Sequence, residues 1–188
     1  MNKVFLTSVA LITAVFIFIP RAFALGPATV YKVQVNTVKL CTTSSSCTTV
    51  FSGTSSTVDI ASVGSSSVAG NFISGVTVPD GTYTIIKVQP STTFTVSGND
   101  GTHYTTAVLG GDTLGSVATT DSTQQAPCTI TVSSVPEQTY TPTDPITVQN
   151  GVANHKIRVI FDVSQSLLYD SGSGELYIQA PSVTFSSD

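Results

Sequence analysis

The chain has no tryptophan and one methionine in 188 residues, two histidines, and charge on only 10% of its positions. Each scarcity removes a class of function. Without tryptophan, the aromatic that stacks best on a sugar ring is missing. His103 and His155 lie in separate segments with no HExxH or CxxC spacing beside them, whereas a zinc centre needs three or four converging His, Cys or carboxylate ligands. No Gly-x-Ser-x-Gly occurs, so the strained elbow that presents a hydrolase serine has no sequence to form it. Basic residues are few and scattered, which excludes the positive patch that nucleic acid or an anionic membrane surface requires. The straight-chain helix formers Glu, Lys, Arg, Met and Gln are also scarce, so no helical domain is expected after the first residues.

What is present begins with a secretory pattern. Lys3 precedes an apolar run from Val4 to Ile19, then Pro20 breaks the helix and Ala22-Phe23-Ala24 gives a small-x-small exit, with cleavage expected after Ala24. A membrane span wants about 20 apolar residues, and this run is shorter. No cysteine follows the exit directly, which argues against a lipid-anchored start. Residues 1–24 are therefore a signal peptide, residues 25–188 are expected to fold as one domain, and no membrane insertion is expected after cleavage. Loss of Lys3 and Arg21 leaves five basic and eleven acidic residues, a net charge of −6, in the exported part. The expected location is secreted, periplasmic or the outer cell surface.

Serine (24) and threonine (28) make 52 of those 164 residues, and with valine they favour pleated, half-buried strands. The stretch ATVYKVQVNTVKL alternates, with a change of phase at Asn36-Thr37 that predicts a β-bulge. Pro79-Asp80-Gly81 is a turn signal leading into the strand TYTIIKVQ, and Pro181 splits two short final strands, which suggests an edge. The cleanest period-two pattern is KIRVIFDV, so Ile157, Val159, Phe161 and Val163 are the expected core face. Residues 99–127 read as a long Thr/Gly-rich connection or insertion with HYTTAVL as its one convincing strand. About ten short strands between turn signals predict an all-β, two-sheet antiparallel sandwich.

Cys41 and Cys47 flank TTSSS, which resembles a hairpin loop, so a Cys41–Cys47 disulfide is expected; a bridge from Cys128 to either one stays open. The remaining thiol is either buried or a link to another chain, with a buried Cys128 favoured.

YKVQVNTVKLC followed by VDIAS, then VPDGTYTIIKV, then IRVIFDVSQSL with LYIQAP behind it, resembles a bacterial family of secreted domains of unknown function, across most of residues 28 to 186. The resemblance implies a transthyretin-like or immunoglobulin-like sandwich and no particular activity. The cysteines and the threonine-rich section from Asn99 to Pro127 depart from that family.

The remaining candidates for chemistry each have a plainer role. His103 follows Asp100 in NDGTH, which reads as a turn before a strand rather than a catalytic pair. Asn99, Asp100 and Asp112 are hard-oxygen groups that suit calcium, yet turn formation is the better account of them. Asp59 and Asp162 are expected to cap turns or to sit on a wet face. A glycan site would rest on Tyr104, Tyr140 or Tyr169, which otherwise plug sheet edges. The chain is thus expected to be no enzyme, with no cofactor and no metal. Its expected role is a surface structural or interaction protein, a filament or matrix subunit included, that associates with itself or with other surface proteins. The alternative is a monomeric module that binds glycan, peptide or calcium.

Overall fold

The computed structural model describes residues 24–62, 77–111, 114–154 and 157–187. All regular structure there is strand, apart from one short 3₁₀ turn at Ser122–Gln124. The expected signal peptide lies, apart from Ala24, outside the described residues, and no described helix is long and apolar enough to cross a membrane.

The first strands are β1 (Leu25–Gly26), β2 (Ala28–Val33), β3 (Val35–Cys41), β4 (Cys47–Ser52) and β5 (Val58–Asp59). The central run holds β6 (Gly81–Tyr83), β7 (Ile85–Pro90), β8 (Thr93–Gly98), β9 (Tyr104–Leu109) and β10 (Gly115–Thr119). After the 3₁₀ turn come β11 (Cys128–Thr131), β12 (Gln138–Tyr140), β13 (Ile146–Gln149) and β14 (Val152–Ala153). The chain closes with β15 (Ile157–Asp162), β16 (Leu167–Asp170), β17 (Glu175–Ile178) and β18 (Ser182–Ser187).

All pairings between these strands are antiparallel, and they make five sheets: β1-β16-β17-β10-β9, β11-β8-β2-β5, β12-β7-β3-β4, β14-β13-β6 and the ribbon β15-β18. The two four-stranded sheets run on from one another. β2 continues into β3 through Gln34, and β7 into β8 through Ser91 and Thr92. The Ser91 amide donates to the Gln34 carbonyl at 2.8 Å and the Val132 amide to that of Thr92 at 2.9 Å, which stitches the join. The expected bulge is there: the register between β3 and β7 shifts between Val35 and Thr37.

Each half of this long sheet has its own apolar cluster. Tyr31, Val33, Val58, Ile60 and Val96 pack with Leu167 and Leu176 of the five-stranded sheet, while Leu40 and Ile86 pack with Tyr83, Ile146 and Val148. The sequence reads TYTIIKVQ as one strand, but Thr84 divides it. β6 pairs with β13 and β7 with β3, and the Thr84 amide donates to the Cys41 carbonyl at 2.9 Å.

Two expectations change. The best core face is not covered throughout: Phe161 and Val163 pack against the first cluster, whereas Val159 is 39% exposed, and the side chain of Ile157 lies outside the described residues. Alternation guarantees that one side of a strand is apolar, but what lies over that side is a tertiary matter. β15 belongs to a two-stranded ribbon, and the ribbon reaches the cluster only through its end. Residues 99–127 hold a second strand, β10, beside β9, and both are part of the five-stranded sheet. Polar residues carry these strands: Thr105 and Ser116 are almost wholly buried and their hydroxyls bond to main chain, so hydropathy alternation never marked them.

Candidate functional site

Asn99 to His103 form the turn from β8 to β9, and the side chains close it. Asn99 Oδ1 accepts from the Gly101 amide at 3.0 Å, and Asp100 Oδ1 accepts from the amides of Thr102 (2.9 Å) and His103 (2.7 Å). Gly101 has φ near +98°, where a side chain would be strained. Asp100 Oδ2 lies 3.0 Å from His103 Nδ1, and the His103 ring stacks on Tyr169 with centroids 3.5 Å apart and planes 9° from parallel. The Asp100 side chain is almost completely shielded. Burial alone would raise its pKa, but the bonds from His103 and Thr102 outweigh this and hold it below the usual carboxylate range.

The cluster unites three residues singled out from sequence, Asp100, His103 and Tyr169. An acid that orients an imidazole is half of a nucleophile-activating array. Among the described residues no serine or cysteine side chain bonds to His103. The arrangement serves as a knot that fastens the β8–β9 turn to β16.

The other candidates disperse. Tyr140 packs on the second apolar cluster and Tyr169 on the first, so the tyrosines share no site. Asp59 Oδ1 accepts from the amides of Tyr31 (2.9 Å) and Ala61 (3.1 Å), and Asp162 Oδ1 from Ser164 (2.9 Å), so both carboxylates close turns. Asp112 and His155 lie outside the described residues. Among the described residues no three metal-ligating side chains converge. Of two open depressions, about 400 and 510 Å³, neither is lined by a histidine, cysteine or tyrosine.

Cys41 and Cys47 face each other across β3 and β4 and are joined by a disulfide. Cys128 is free and buried on β11, and burial pushes its thiol pKa up.

Sequence reasoning missed Glu175. Its side chain is buried, Oε1 accepts from the Gly111 amide at 2.7 Å, and Oε2 has no hydrogen-bond partner among the described residues. A Cβ on Gly110 or Gly115 would run into this carboxylate, so glycine is what lets the β9–β10 connection close over it. A buried carboxylate oxygen of this kind is a place for an ordered water or a cation. Nothing in ELYIQ hints at burial, because the cradle comes from glycines some sixty residues earlier.

The chain matches no family model, no curated protein and no solved structure.

Proposed function

We propose that this chain is a secreted or cell-surface structural and interaction protein, a subunit of an extracellular filament or matrix, that works through its sheet faces and edges. In this reading its sheets form a two-layer antiparallel sandwich of the immunoglobulin-like or transthyretin-like kind, and it performs no catalysis. The observation that carries it is the state of the edges. Among the described strands β4 pairs with β3 alone and β9 with β10 alone, although Asn99 and Ala126 hold the first two residues of β9, and neither CTTVFS nor YTTAVL contains a charge or a proline. Val108 and Leu109 at the end of β9 are 59% and 52% exposed. Edge strands of soluble proteins are usually guarded by lysine, proline or a covering loop. An unguarded edge is suited to strand addition, by another copy or by another surface protein. The disulfide fits an oxidising compartment, in keeping with the N-terminal signal pattern.

Size-exclusion chromatography with light scattering tests this directly. The expected result is a mass that rises above the monomer with concentration, in both oxidised and reduced buffer. A strict monomer at millimolar concentration refutes it.

A further inference from the structure

The ribbon β15-β18 stands apart from the other sheets in strand number and in cover. Two strands alone are at best marginally stable in water, and three or more with an apolar face are the usual minimum. Part of its apolar face is uncovered: Phe161 packs inward, while Val159, and Val183 opposite Phe161 on β18, are 39% and 38% exposed. β15 pairs with β18 and with no other described strand.

The sequence of β15 complements itself. Ile157-Arg158-Val159-Ile160-Phe161-Asp162 can be laid antiparallel on a second copy with Ile160 opposite Ile160. Arg158 then falls opposite Asp162 of the second copy, Val159 opposite Phe161, and the two-fold axis repeats each pair. This is the single register in which the two charged residues of the strand face each other. Directly opposed residues of an antiparallel pair share a face, where unlike charges attract and like charges repel. Shifts that centre the axis on residue 158 or on residue 162 set arginine against arginine, or aspartate against aspartate.

We propose that two copies of this chain join edge to edge through β15, about a two-fold axis at Ile160, giving one four-stranded antiparallel sheet in the order β18-β15-β15-β18. The proposal rests on the functional reading above and names the partner and the edge. A two-fold interface uses the same patch on both copies, as this strand permits. The new sheet brings Val159 and Phe161 of each copy side by side and reaches the strand number that the lone ribbon lacks. Asp162 is exposed at the ribbon's end, where a second chain can meet it.

The test uses the full chain, as processed by the expressing cell, in light scattering over a concentration series. Arg158→Asp alone and Asp162→Arg alone each place like charges opposite one another twice, and each raises the dimer dissociation constant about tenfold or more. An equimolar mixture of the two variants recovers association as a heterodimer, because aspartate at 158 then meets arginine at 162 and the reverse. The double exchange in one chain, R158D with D162R, associates as the unaltered protein does, and Arg158→Asp, which leaves the Ser164-to-Asp162 bond in place, keeps the test decisive where D162R fails to fold. Single variants that associate normally, or a mixture and a double exchange that both fail to recover, overturn this interface. If the unaltered chain still self-associates in that case, the functional reading stands and another edge carries it. A strictly monomeric unaltered chain overturns both.

Discussion

At the scale of single residues, short polar side chains do the shaping that charge and tryptophan do elsewhere. Asp100 is the clearest case, since one carboxylate gathers two amides and an imidazole within a five-residue turn. Its pKa is depressed in the folded state, so the stability it contributes is present above its unfolded pKa, near 4, and is lost as pH falls through the lower folded value. Urea titrations between pH 7 and pH 3 should therefore show stability falling below about pH 4, and Asp100→Asn should flatten that acid limb while lowering stability at pH 7. An unchanged acid limb in the variant would show that other carboxylates govern it. NDGTH was legible as a turn because Asn, Asp and Gly form turns through local bonds. That His103 would lie flat on Tyr169, sixty-six residues later, was not, because stacking depends on where β16 runs.

At the scale of elements, the β3–β4 hairpin shows how local pattern and covalent chemistry agree. Cys41 and Cys47 lie directly opposite in the ladder, and a short loop with hydroxyl-to-backbone bonds joins them. The closed loop is small, so the chain-entropy estimate for the bridge is modest, about 2 kcal/mol. Replacing both cysteines with alanine should lower the unfolding free energy by that amount, read as a lower urea midpoint with an unchanged denaturant slope. A fall in the slope as well would mean that β4 detaches from β3. The cysteine pair and the Asn36-Thr37 bulge could both be read in advance, because each is fixed by neighbours within a few residues. β10 could not, since its burial is satisfied by Ser116 bonding to the main chain of Thr106 on the adjacent strand.

At the scale of the whole molecule, two apolar clusters share continuous chain. β2 runs into β3 and β7 into β8, so the strands that pack on Leu167 and Leu176 are extensions of those that pack on Ile146 and Val148. Loss of either cluster should therefore be felt by the other. Leu167→Ala and Ile146→Ala should each cost about 2–5 kcal/mol, and calorimetry should still show one transition with equal calorimetric and van't Hoff enthalpies. Two resolved transitions in either variant would show that the halves unfold independently.

Composition and alternation were enough to determine that the described chain is all β, that its strands are short and antiparallel, and that its first two cysteines face each other. These follow from backbone preference and from contacts close in sequence. Only the tertiary structure decided that Val159 is left uncovered, that Glu175 is buried among glycines, and that Thr105 and Ser116 are core residues. Each of those depends on which strand comes to lie over which, and a period of two tells that a strand has two faces without telling what will cover either.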